Sequence, residues 1–164
     1  MKKFRKLIAS VIVAAMVFGL MATGFAAVPS DVAGTDYEDA VTKLAALNIL
    51  NGYPDGTFKP DNNVTRAEFT KIAVMELNLG KAVDKATGDT AFSDVKADHW
   101  AAPYVKIATE RGLLKGYPDG TFRPEANVTY AEAVTILVRM LGYTDEMLKG
   151  TWPNNYLAQA SQVG

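Results

Sequence analysis

Gly52-Tyr53-Pro54-Asp55-Gly56-Thr57-Phe58 recurs letter for letter as Gly116-Tyr117-Pro118-Asp119-Gly120-Thr121-Phe122, 64 residues further on. The likeness continues downstream: laid over each other, 52–79 and 116–143 agree at 16 of 28 positions. Shared letters include Pro60 and Pro124, Asn63 and Asn127, Val64-Thr65 and Val128-Thr129, and Ala67-Glu68 and Ala131-Glu132. A fixed period marks one structural unit copied, and such units bury their apolar faces against one another. A duplicated surface also suits multivalent binding better than catalysis, whose sites are asymmetric.

Tyr-Pro-Asp-Gly is turn chemistry. Proline presets φ, Asp offers a side-chain acceptor, and Gly admits positive φ. Phe58 and Phe122 are expected to dock into the core, while Pro60 and Pro124 keep the following loop extended. Thr65-Arg66-Ala67-Glu68 and Thr129-Tyr130-Ala131-Glu132 are Thr-x-x-Glu capping boxes that open a helix. Its apolar positions run Phe69, Ile72, Ala73, Leu77 in one copy and Ala133, Ile136, Leu137, Met140, Leu141 in the other. Ahead of the first turn, Tyr37, Ala40, Val41, Leu44 and Leu47 fall at helical spacing, with Asp36 expected as N-cap. Ahead of the second stand Trp100, Tyr104, Val105, Ile107 and Ala108, with Asp98 or His99 near the cap and Gly112 at the stop. The apolar pairs Ile49-Leu50 and Leu113-Leu114 lead into the turns. Lys81 to Thr90 is small and polar and reads as a connection. Each unit is helix, turn, helix, so the predicted class is all-α. Trp152 to Gly164 lays over Trp100 to Gly112 without gaps, which reads as the start of a third unit.

The first 26 residues read differently. Lys2, Lys3, Arg5 and Lys6 precede an apolar run from Leu7 to Phe25, and small residues follow at Gly24, Ala26 and Ala27. That is the pattern of a secretory signal peptide, with cleavage expected after Ala26 or Ala27; a retained anchor is the rival reading. Removing 1–26 takes four of the 17 Lys and Arg and none of the 18 Asp and Glu, leaving a net charge of −5. Bulk charge of that sign argues against nucleic acid, and any anionic ligand needs a local cationic site. The chain has no cysteine, so its core must hold without disulfides.

Four spaced words assemble from these readings: Ser93-Asp94-Val95, His99-Trp100-Ala101, Gly116-Tyr117-Pro118-Asp119-Gly120-x-Phe122-x-Pro124, and Val64-Thr65-Arg66-Ala67-Glu68. Together they closely resemble the S-layer homology (SLH) domain of bacterial surface proteins. On that resemblance 1–26 is the signal peptide, 27–90 the first SLH repeat, 91–150 the second, and 151–164 the truncated start of a third. The resemblance implies tandem helix–loop–helix repeats packed as a partial pseudo-threefold helical bundle, without cofactor or metal. Grooves between repeats are implied to bind secondary cell-wall polysaccharide linked to peptidoglycan, often pyruvylated. An exported protein is thereby held in the cell wall or S-layer of a bacterium, and no enzyme activity is implied.

The family's ligand arginine carries over onto Arg66. A guanidinium can grip a pyruvyl carboxylate with two parallel hydrogen bonds, and the helix N-terminus beside it favours an anion. Trp100, Trp152, Tyr53 and Tyr117 are candidate aromatic platforms, and Thr65, Gly52, Asp94 and Gly116 complete the expected polysaccharide-binding set. Tyr130 stands where the first copy has Arg66, and the first copy has no tryptophan matching Trp100, Thr35-Asp36-Tyr37 occupying that stretch. Plainer readings stand beside these. Arg66 also fits a surface ion pair, Trp100 a packing residue, and Glu68 and Glu132 fit capping rather than acid catalysis. Asp55, Asp61, Asn62 and Asn63 do not keep calcium-loop spacing, and the single His99 has no metal partners in the sequence. Two further functional readings remain. One is a surface-assembly subunit that self-associates or takes a third repeat in trans through exposed Trp152, Tyr156 and Leu157. The other is the anchoring fragment of a wall hydrolase. Membrane contact is expected only through an uncleaved signal segment.

Overall fold

Six helices carry the regular structure of the described residues: α1 Glu38–Ala46, α2 Arg66–Glu76, α3 Gly80–Val83, α4 Ala102–Glu110, α5 Tyr130–Met140 and α6 Asn154–Val163. The computed structural model describes residues 28–163, so the predicted signal segment lies outside them. Among those residues the only β-type pairing is an isolated antiparallel bridge between Thr65 and Asn127. The fold is all-α, as the doubled helix–turn–helix pattern predicts. The chain divides into two compact units, Met1–Pro60 and Asp61–Gly164.

In the first unit α1 leads through the first copy of the turn, with Val41, Ala45 and Ile49 buried. Asp36 is not its N-cap. The helix begins later, behind Tyr37, and no side chain caps it. Thr35 Oγ1 instead accepts the Tyr37 amide at 3.3 Å, and Glu38 reaches back to the Gly34 amide at 2.6 Å. The chain is still turning at Asp36, so its carboxylate has no helical amide in front of it. In the turn, Gly56 N–H donates to Tyr53 O at 3.0 Å, and the Asp55 carboxylate accepts the Thr57 amide and hydroxyl at 3.0 and 2.5 Å.

The second unit explains why the sequence repeat is not a closed structural unit. Its helices pair across copies: α2 packs on α4, α5 on α6, and α2 also touches α5. The second helix of one copy thus finds its partner in the first helix of the next. One core gathers Val74 of α2, Val105 and Ala108 of α4, Ile136 of α5, and Phe92, Val95, Leu113 and Phe122 between them. A smaller one joins Val134 and Val138 of α5 to Tyr156 of α6. Phe122 is fully buried, as expected for the aromatic behind the turn. Both predicted capping boxes form, Thr65 with Glu68 and Thr129 with Glu132.

The connection 81–90 is more than a linker. It holds α3, whose Val83 is buried, and Ala82 and Ala86 pack on the main core. Trp100 does not sit on the apolar face of a helix, because α4 starts only at Ala102, with Pro at its first turn. Trp100 is half exposed, stacked on His99 at 5.9 Å. His99 does serve near the cap, its Nδ1 accepting the Ala101 amide at 3.1 Å.

Asp94 clips the loop behind the second turn. Its carboxylate accepts the Phe122 amide at 2.8 Å and the Arg123 amide at 2.7 Å. Asp31 does the same in the first unit, taking the Phe58 and Lys59 amides. Arg123 and Lys59, the residues so clipped, both have positive φ. The Asp31 partner was hidden in the sequence. Ser30-Asp31-Val32 and Ser93-Asp94-Val95 lie 63 residues apart, so a 64-residue overlay puts them out of register.

A candidate ligand groove braced by two arginines

A cavity of about 590 Å³ opens in the second unit between the start of α2, the stretch Leu114–Pro118, α5 and the segment leading into α6. The loop after the second turn builds one wall by docking onto α2. Arg66 N–H donates to Ala126 O at 2.8 Å, Ala67 N–H to Pro124 O at 3.0 Å, and Val128 N–H to Val64 O at 2.9 Å. These bonds take the amides that a helix N-terminus would otherwise offer to an anion. The helix-end argument for an anion at Arg66 therefore does not hold.

The Arg66 side chain lies along the same wall, only 7% exposed. Its Nε donates to Phe122 O at 2.8 Å and its Nη1 to Glu132 Oε1 at 2.5 Å. The guanidinium lies 4.8 Å from the Tyr117 ring centre and 4.7 Å from that of Phe122, which adds cation–π attraction. Tyr117 O–H donates to the same carboxylate at 2.8 Å. Burial pushes the Glu132 carboxyl up, but the Thr129 amide, the Tyr117 and Thr129 hydroxyls and Arg66 outweigh it and hold it below its usual range. Glu132 is thus a helix-capping group and the anchor of Arg66 at once.

A second arginine stands at the other end. Arg139 of α5 donates through Nε to Tyr156 O–H at 2.9 Å, through Nη1 to Leu113 O at 3.4 Å and through Nη2 to Asp145 at 2.8 Å. Asp145 also accepts from Lys115 Nζ at 2.6 Å and from the Tyr156 hydroxyl. Lys115, Tyr156 and Arg139 together hold its carboxyl far below the ordinary range. Tyr156 is fully buried under this cluster, which corrects the expectation that it is exposed. Trp152 does remain 55% exposed and faces the cavity, its Nε1 donating to Thr135 Oγ1 at 2.9 Å.

Of the residues singled out by sequence, Arg66, Gly116, Tyr117 and Trp152 come together in this lining. Thr65 caps the helix behind it, and Asp94 clips the loop that forms its wall. Trp100 stands apart with His99 and Tyr104, and Gly52 and Tyr53 belong to the first unit. Sequence reasoning missed Lys115, Thr135, Arg139, Asp145 and Asn155. Their 64-residue counterparts for Lys115, Arg139 and Asp145 are Asn51, Met75 and Lys81, so a search for shared letters passes over them.

Helix–turn–helix copies that pack one onto the next and leave a polar, aromatic-edged groove define a repeat binding module. Residues 30–70 and 91–134 match the S-layer homology domain, and the chain belongs to that family. It is 35% identical to a surface layer protein of Brevibacillus choshinensis over 99% of its own length and 15% of the relative's. It is 39% identical to a cell surface protein of Thermoanaerobacter kivui over 100% of its length and 22% of that relative. With a cellulosome-anchoring protein of Acetivibrio thermocellus the identity is 41%, over 62% of this chain and 23% of the relative. The chain therefore spans less than a quarter of the length of these relatives. Its place is the bacterial cell surface, in the cell wall or S-layer.

Proposed function

We propose that this chain anchors an exported protein to the bacterial cell wall by binding wall polysaccharide in the groove between α2, the second turn and α5. The carrying observation is the lining's composition. Arg66, Lys115 and Arg139 line the cavity with two carboxylates, Glu132 and Asp145, so three cations are gathered in one groove of a chain of net negative charge, with the exposed Glu146 acting on Lys115 from outside the lining. An exposed indole stands beside it. Sugar polymers with acidic substituents, pyruvyl ketals among them, fit an aromatic face next to a cation. Arg66, Gly116, Tyr117 and Trp152 form the site, with Thr65 and Asp94 holding its wall. Gly52 and Tyr53 are the matching edge in the first unit, and Trp100 is a separate sugar-stacking surface. A relative named for anchoring supports the role, and the module acts as a binder rather than a catalyst.

The test is retention of the protein on purified bacterial walls before and after the secondary polymer is stripped. Strong retention on intact walls and loss on stripped ones is expected; equal retention on both sinks the proposal.

One observation favours self-association as a second role. The α2 start is covered by the following loop, whereas at α5 the Tyr130 and Ala131 amides meet no acceptor among the described residues. Tyr130 is 78% exposed and shares its helix face with Leu137 and Leu141, themselves 50% and 64% exposed. A second copy, bringing the same kind of turn segment, is the occupant this edge fits. Light scattering at high concentration decides it: the expected dimer or larger species disappears in Leu137→Lys, and a strict monomer removes the role.

A further inference from the structure

We infer that Asn51-Gly52 is a site of spontaneous covalent modification. The Gly52 nitrogen closes a succinimide on the Asn51 side chain, and water reopens it as aspartate or isoaspartate. No ligand takes part, so this chemistry is independent of polysaccharide binding.

Ring closure needs an electrophilic side-chain amide, a following backbone nitrogen free to attack it, and no side chain shielding that nitrogen. Asn51 and Gly52 are both exposed and lie outside the helices. Gly52 has no Cβ and a φ of 64°. Among the described residues its amide and the Asn51 side chain meet no hydrogen-bond partner. The other asparagines are guarded. The amides following Asn48, Asn78, Asn127, Asn154 and Asn155 are each held by a carbonyl at 2.9–3.3 Å. Asn62 and Asn63 are followed by Asn63 and Val64, whose side chains crowd the attack.

The two Asp-Gly steps of the turns offer the same glycine but are locked. Gly56 N–H donates to Tyr53 O and Gly120 N–H to Tyr117 O, each at 3.0 Å. The Asp55 and Asp119 carboxylates are occupied by Thr57 and Thr121, and an ionised carboxylate is a poor electrophile.

The atoms balance with water as the only co-reactant. Hydroxide takes the Gly52 amide proton, the nitrogen bonds to the Asn51 side-chain carbonyl carbon, and the side-chain nitrogen leaves as ammonia, protonated by water. Water then adds to one imide carbonyl. Opening at the side-chain carbonyl gives aspartate; opening at the main-chain carbonyl gives isoaspartate. Either product adds a negative charge ahead of the first turn. Isoaspartate also lengthens the main chain between buried Ile49 and the Tyr53 N–H to Thr57 O bond. The second copy has Lys115 at the matching place, and lysine has no carbonyl to attack. The two turns share their letters and age differently.

The experiment ages the full folded chain in mildly alkaline and mildly acidic buffer. It reads peptide masses, released ammonia and labelling by an isoaspartate-specific methyltransferase. Asn51 should lose its amide at least about tenfold faster than any other asparagine, a barrier difference of about 1.4 kcal/mol. The rate should rise in proportion to hydroxide, with isoaspartate among the products. Asn51→Gln, which must close a larger ring, and Asn51→Lys should each abolish the early ammonia release and keep the wild-type melting temperature. Amide loss spread evenly over the asparagines, or led by another of them, overturns the inference, as does loss at Asn51 that yields aspartate alone. Isoaspartate forming at Asp55 or Asp119 as fast as at Asn51 overturns it too, because the bonded glycine amides would then give no protection.

Discussion

Arg66 and Glu132 stand 66 residues apart in the chain, yet their contact fastens the second turn to two helices at once. The glutamate caps α5, takes the Tyr117 hydroxyl and holds the guanidinium that in turn fixes the Phe122 carbonyl. Removing the cation leaves a half-buried carboxylate with only its hydroxyl and amide donors. Arg66→Gln is therefore expected to lower unfolding free energy by about 2–4 kcal/mol, against about 0.5 kcal/mol or less for Tyr130→Gln on the exposed counterpart. Urea midpoints compare them, and equal shifts would show that Arg66 is a plain surface residue. The turn aspartates give a pH signature. Thr121 first, then Arg123, holds the Asp119 carboxyl at about 2, and Thr57 with Lys59 does the same for Asp55, against an ordinary 3.8. A carboxyl lowered in the fold stabilises it fully above its unfolded value, and that stabilisation is lost as pH falls from about 4 toward 2. Asp119→Asn should flatten this acid limb of a melting-temperature profile; an unchanged limb would mean the turn does not contribute.

Identical letters in the two copies do not guarantee identical demands on the backbone. Gly52 has positive φ, whereas Gly116 is required by space. A Cβ on it would sit 2.1 Å from the Phe92 ring and 2.7 Å from the Thr121 carbonyl. Gly116→Ala should accordingly cost about 1–3 kcal/mol through overpacking of the buried Phe92, read as a lower melting temperature with helix content retained. A wild-type melt would show that the ring can step aside. The turns, the capping boxes and the glycine stop of α4 were all legible because each depends on a few neighbouring residues with fixed chemistry. What the sequence withheld was pairing at a distance. Nothing local tells that the loop after the second turn seats its Pro124 and Ala126 carbonyls on the first turn of α2. Nor does it tell that Arg139, Asp145 and Tyr156 meet. The repeat drew attention to shared letters, so it found the scaffold and half of the groove. The other half lies at positions where the copies differ, Lys115 for Asn51 and Arg139 for Met75.

The cross-copy pairing of helices sets where the chain can be cut. Every residue lining the cavity falls after Pro60, as do both clustered cores. The unit Asp61–Gly164 holds α2 with α4 and α5 with α6, so its apolar faces already have their partners within it. About a hundred residues with such a core can fold alone. The described part of the first unit is 28–60, too short to stand without disulfides or metal, and the chain has no cysteine. A fragment 61–164 is therefore expected to melt cooperatively with its helices formed. It should also stay on intact bacterial walls, as is proposed for the longer chain, while 28–60 alone should give no cooperative melt. Cutting by sequence repeat instead, at 90/91, separates α2 from α4 and takes Arg66 and Thr70 out of the groove. A fragment 91–164 should then lose both the cooperative transition and wall retention. Circular dichroism melts and wall sedimentation of the three fragments decide the matter. If 91–164 folds and binds as well as 61–164, the partnership of α2 with the second copy is not what builds the groove.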